Sequence, residues 1–166
     1  MVDSGNFRIV SGFGKGIGPS VINGTFDAIS QNKLPLDRYL LPRPFPRHIK
    51  NEADRELVYR AYREEMMDEA GIAIFIFGNK KQKGKIIDSK GVYREFEIAR
   101  SKRLACVAVG ATGSMSAKIS REIAKANPDE FKSAEAKLLL KTINKKTNDL
   151  STLLEPLLKL ANLLRG

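Results

Sequence analysis

Phe7-Arg8-Ile9-Val10-Ser11-Gly12-Phe13-Gly14-Lys15-Gly16-Ile17-Gly18-Pro19-Ser20 is the stretch on which the fold turns. Phe7 to Val10 predicts a short strand, and it runs straight into a turn where Gly12, Gly14, Gly16 and Gly18 alternate with other residues. A helix should follow at once. Val21, Ile22, Thr25, Ala28 and Ile29 share one helical face, and Pro19 suits a first turn where its missing N–H costs nothing. The motif is therefore strand, glycine turn, helix.

The same alternation continues down the chain. Asp37 to Leu41 predicts a weak strand, and Leu41-Pro42-Arg43-Pro44-Phe45-Pro46-Arg47-His48 an extended loop, because its prolines forbid both helix and central strand. Glu52 to Ala70 carries Leu57, Val58, Ala61, Tyr62 and Met66 at helical spacing and stops at Gly71. Ile72 to Phe77 is the strongest strand, apolar on both faces as a covered parallel strand should be. Gly78-Asn79-Lys80 ends it with a turn, a flexible basic loop follows, Gly91 to Lys102 reads as helix and Leu104 to Val109 as a second buried strand. From Ser114 onward only helical patterns occur, broken at Asn127-Pro128 and closing on the leucine-rich Thr152 to Leu164. The expected class is α/β, a Rossmann-like doubly wound parallel sheet with a helical C-terminal extension. Residues 1–126 would form the nucleotide-binding domain, and 127–166 helices that pack on it or on a second copy of the chain.

Composition narrows the function classes. The chain has 166 residues, 42% of them hydrophobic, enough for a real core and against wholesale disorder. No apolar run is longer than Ile72 to Phe77, far short of the roughly 20 residues a membrane helix needs. Met1-Val2-Asp3-Ser4-Gly5 lacks the pattern of a secretory leader and the single Cys106 has no intramolecular partner, so a reducing, cytoplasmic setting is expected. Lys and Arg total 29 against 19 Asp and Glu, a formal +10, and more than half of that excess lies between Gly71 and Ala105. A focused positive field of this kind attracts phosphate, on a nucleotide or on a nucleic acid strand; a solvated surface is the plain alternative.

Three turns could carry binding chemistry. At the first, backbone amides of a helix start, unobstructed by side chains around Gly12, Gly14, Gly16 and Gly18, can close on an anion. The spacing is neither the dinucleotide fingerprint nor a phosphate loop, and the same glycines would equally permit a tight turn. At the second, Arg43 follows a strand on a proline-stiffened loop and offers a two-pronged grip on phosphate, or else lies idle in a connection. The third pairs Gly78, Asn79 and Lys80 at a strand end with Gly91 at a helix start, where Glu95 could accept from ribose hydroxyls or serve only as a first-turn acid. His48 stands alone, so no metal site is expected. No Ser/His/Asp set, cysteine pair or carboxylate pair marks a catalytic centre, and Cys106 reads as a small core residue.

Taken together, residues 7–18, Leu41 to Pro46, Ile74 to Lys80 and Gly91 to Ala99 resemble the SLOG domain of the sirtuin- and TIR-associated type. The likeness covers about Phe7 to Arg121. It implies a Rossmann-like, non-catalytic sensor of a cyclic ADP-ribose-type nucleotide in TIR-linked antiphage defence, of the Thoeris kind, which switches on an NADase effector. Carried over by motif, Ser11, Gly12, Gly14, Gly16, Gly18, Gly91, Val92 and Glu95 would face the nucleotide, with Arg43, Gly78, Asn79 and Lys80 near its phosphates and riboses and Arg63 as a further contact. No cofactor beyond that ligand is implied. Such domains also begin with a strand and helix ahead of Phe7, which this sequence lacks.

Two other functions compete. Related SLOG proteins include cytokinin-activating phosphoribohydrolases with a Pro-Gly-Gly-x-Gly-Thr-x-x-Glu loop, of which only Gly91 and Glu95 find a match here. Others bind single-stranded nucleic acid, which the net charge invites. Against that stand the absence of Trp, an aromatic content of 7% and no stacking stripe beside the lysines.

Overall fold

A computed structural model describes residues 7–14 and 16–165, so the opening residues that bear on a leader lie outside the described residues, as do Lys15 and Gly166. The chain divides into two compact units, one ending at Ala70 and the other running from Gly71. Each is taken by itself. The expected division at 126/127 does not coincide with this boundary.

In the first unit β1 (Ile9–Ser11) leads through the glycine turn into α1 (Gly18–Gln31), then α2 (Leu36–Tyr39), β2 (Leu40–Pro42) and α3 (Glu52–Asp68). β1 and β2 pair in parallel, Ile9 against Leu40 and Ser11 against Pro42. Buried Ile22, Ile29, Tyr39 and Leu40, with Ile9, Phe13, Ala28 and Leu34 against them, form its core. The strand expected over Asp37 to Leu41 is thus half wrong. Pro35 caps a single helical turn with Asp37 in it, and only at Leu40 does the chain extend.

The second unit holds β3 (Ile72–Ile76), β4 (Asn79–Gln82), β5 (Lys85–Asp88), α4 (Lys90–Ser101), β6 (Ala105–Val109), α5 (Ser114–Ala126), α6 (Ala134–Asn144) and α7 (Leu154–Leu164). β3 and β6 pair in parallel, Ile72 against Ala105 through Ile76 against Val109. α4 and α5 pack on both strands, and α6 packs on β6 and on α7. Phe75 meets Phe96 edge to face at 5.7 Å, and Phe96, Val107, Ile119, Ile143 and Leu160 are buried. The expected parallel α/β architecture with C-terminal helices is therefore present, carried by one parallel strand pair in each unit.

The basic stretch expected as a flexible loop is instead an antiparallel hairpin, with Asn79 opposite Asp88 and Gln82 opposite Lys85. Its two-residue turn, Lys83-Gly84, has positive φ at both positions, the geometry whose twist matches paired strands. Asn79 and Lys80 accordingly sit on β4, not in the turn that ends β3. That turn falls at Phe77 and Gly78, both at positive φ.

Candidate functional site

Around the first glycine turn, four predicted residues converge within the first unit. Ser11 closes β1, and its carbonyl accepts from the Arg43 N–H at 2.8 Å, which carries the β1–β2 pairing one step into the proline loop. Gly12 lies under Phe45: a Cβ there would stand 2.6 Å from the ring's Cε2. The Arg63 guanidinium, buried on α3, sits 5.3 Å from the centre of that same ring and 5.7 Å from the ring of Tyr59. Tyr59 in turn packs its ring on Phe45 at a tilt of 53°, centroids 4.9 Å apart, and donates its hydroxyl to the Pro46 carbonyl. An aromatic clamp thus holds the loop that bears Arg43, as cation–π contact with a desolvated arginine would favour. Arg43 Nη2 is 3.9 Å from Glu69 Oε1, while Glu69 is gripped at 2.8 Å by Arg8. The buried Nε of Arg43 has no hydrogen-bond partner among the described residues, so this side chain retains donor capacity for an anion.

The glycines of the turn separate into two kinds. Gly18 is buried, and a Cβ on it would stand 2.9 Å from the Phe13 backbone carbon, so packing alone demands glycine there, as it does at Gly12. Gly14 and Gly16 are exposed, and a Cβ on either would meet nothing within 4 Å. The helix they lead into starts at Ile17 without a side-chain cap and without an acid in its first turn.

In the second unit, Gly78, Val92 and Ser89 come together where β3 ends. The Ser89 N–H donates to the Gly78 carbonyl at 2.8 Å, and Val92 Cγ1 would lie 3.2 Å from a Cβ on Gly78. Gly91 opens α4 beside them, again with no side-chain cap and no first-turn acid. Glu95 is half-buried on the next turn, whereas Asn79 and Lys80 project from the exposed hairpin.

Sequence reasoning missed the turn after β6. Thr112 Oγ1 accepts from the Phe77 N–H at 2.8 Å and donates to the Val109 carbonyl at 2.7 Å, tying the ends of both strands together. Ser116 does the same from α5, its hydroxyl on the Phe75 carbonyl and its N–H on that of Phe77. α4 and α5 both start with no side-chain cap and no acid at the carboxyl ends of this strand pair, but the Ser116 N–H in the first turn of α5 is already taken by the Phe77 carbonyl. The small-residue run Gly110-Ala111-Thr112-Gly113-Ser114 was the available signal. Two helices are capped: Asn51 accepts from Ala53 and Asp54 ahead of α3, and Ser133 from Ala136 ahead of α6, while α2 and α7 lack a side-chain cap but carry Asp37 and Glu155 in their first turns. Uncapped amides with no nearby acid are the condition for holding an anion.

Near the start of α4, Tyr93 donates to Glu122 at 3.0 Å, and that bond, with burial, raises its phenol above the ordinary value. Burial pushes the Cys106 thiol up to about 11, with Glu130 adding to the shift and Arg100 opposing it. No His/Cys/Asp/Glu group suited to a metal exists among the described residues, and no helix among them is long and apolar enough to cross a membrane.

Parallel strands joined through glycine turns and uncapped helix starts define a Rossmann-like α/β protein. The chain belongs to the Sir2- and TIR-associating SLOG family, whose model matches residues 1–164 and so takes in the C-terminal helices. It is similar to proteins named NAD(+) hydrolase ThsA: 44% identical over 117 residues to that of Cytobacillus dafuensis, covering 70% of this chain and 24% of the relative. The Bacillus cereus (strain MSX-D12) relative is 41% identical over 109 residues, 65% of this chain and 22% of its own. That of Enterococcus faecium is 36% identical over 107 residues, 64% and 21%. The chain spans about a quarter of the length of these relatives.

Proposed function

We propose that this chain is a sensor domain that binds a cyclic ADP-ribose-type nucleotide and, in TIR-linked antiphage defence, governs an NADase effector. The observation that carries the reading is the β1–α1 turn. Gly14 and Gly16 answer no packing need there, yet each costs backbone entropy, and they precede a helix start whose amides no side chain has claimed. A pyrophosphate pressed against the main chain would use that clearance. Arg43 and the uncapped start of α4 are further donors suited to the same chemistry. Kinship with proteins named NAD(+) hydrolase supports a ligand built from NAD and an NADase as the controlled activity.

The test is calorimetric titration of the chain with cyclic ADP-ribose isomers, ADP-ribose and NAD, repeated on Arg43→Ala and on a Gly14→Ala, Gly16→Ala double variant. One nucleotide should bind saturably, and each variant should weaken it by about tenfold or more with folding unchanged. Variants that bind as well as the parent would remove the β1–α1 turn from the site. Release of free base from adenosine monophosphate would favour the phosphoribohydrolase instead.

A further inference from the structure

α5 and α6 leave a groove of about 560 Å³ between them, inside the second unit, bordered at one end by Gly110 of the turn after β6. Its apolar wall comes from Ile123, Phe131 and Leu140, the first two buried. Around it stand Arg121 on α5 and Lys137 and Lys141 one helical turn apart on α6, and no carboxylate lines it. None of the three cations is held in an ion pair among the described residues. Of the neutral polar side chains that line the groove, those of Asn144 and Ser120 are spent internally and Asn127 is left at its rim. Asn144 Oδ1 accepts from the Gly110 N–H and its amide donates to the Leu140 carbonyl, while Ser120 donates to that of Ala117. Recognition is therefore left mainly to three positive charges, with Asn127, over an apolar surface and in a volume suited to a small molecule.

We propose that this groove binds a small organic phosphomonoester, its dianion between Arg121 and the two lysines and its apolar body against the half-buried Leu140 and Pro128. A doubly charged head engages cations from both walls, which a single carboxylate would not. The inference is independent of the nucleotide-sensor reading. Phenyl phosphate, which has no ribose or diphosphate, is the probe. Titrated into the isotope-labelled chain, it should shift the amides of Ala117, Ala124 and Leu140 saturably, with a Kd at or below about 1 mM. Inorganic phosphate should bind at least about tenfold more weakly, lacking the apolar body. The Lys137→Glu, Lys141→Glu double variant, both positions exposed, should weaken phenyl phosphate by about tenfold or more. If that variant disturbs the amide spectrum, Arg121→Gln on the opposite wall carries the same test. Shifts that never saturate, that fall on the β1–α1 turn instead, or that survive these substitutions would overturn the proposal.

Discussion

Gly78→Ala isolates what the β3 turn demands of its residue. At φ +83 the alanine would stand in a left-handed conformation, and its Cβ would come within 2.8 Å of the Met115 Cβ and 3.2 Å of Val92 Cγ1. The conformational term is about 1–2 kcal/mol, reduced by about 0.4–1 kcal/mol because alanine also loses freedom in the unfolded chain. The closest overlap falls on the Met115 Cβ, which is fixed to the α5 backbone and cannot rotate away, and overpacking of that kind costs about 1–3 kcal/mol. Together these predict a loss of about 1–5 kcal/mol, or a Tm lowered by about 2–20 °C for a chain of this size. Gly84→Ala is the matched control. Its φ of +78 is nearly the same, but nothing lies within 4 Å of the added carbon, so only the net conformational term, about 1 kcal/mol, should remain. Urea denaturation of the two variants side by side reads the difference directly. Equal losses would refute the view that α4 and α5 are packed against this turn.

Thr112→Val keeps the shape but leaves the Phe77 N–H and the Val109 carbonyl without their shared partner. It should cost about 1–3 kcal/mol in the same denaturation, and a loss under about 0.5 kcal/mol would mean that the strand ends are not tied there. The Cys106 thiol titrates near 9 when unfolded and near 11 when folded, so between those pH values the native state holds the extra proton. Stability should be unaffected by Cys106 below pH 9 and fall as pH rises through about 11, a decline that Cys106→Ala removes. A parent and variant with identical pH profiles would refute the buried, protonated thiol.

The long helices were legible because each repeats its apolar face over several turns: Ile22, Thr25 and Ile29 in α1, Phe96 and Ala99 in α4. The two misread segments offered no such repetition. α2 is a single turn, too short to show a period, and every residue of the hairpin from Asn79 to Asp88 is exposed, so no alternation of burial was written into it. Only Lys83-Gly84 and the β-branched pair Ile86-Ile87 hinted at strands. The clamp of Phe45, Tyr59 and Arg63 was invisible for another reason. It joins a loop to a helix through tertiary contact, and nothing in the spacing of those residues distinguishes it from surface chemistry.

Glycine content pointed to the right turns without saying why each glycine was there. Gly12, Gly18, Gly78 and Gly110 are enforced by neighbours: Phe45, the Phe13 backbone, Met115, and Asn144 with Ser120. At those four positions packing already accounts for the glycine, so the residue type there carries no separate argument for a ligand. Gly14 and Gly16 have no such neighbour, and of the predicted glycines in that turn they alone are unexplained by the fold. The same separation holds for the helix starts. α3 and α6 satisfy their first amides with Asn51 and Ser133, which α1, α4 and α5 do not. A cap is worth about 1 kcal/mol, so the starts of α1 and α4 forgo that much and leave their first amides unclaimed by side chains, the local condition that suits an anion.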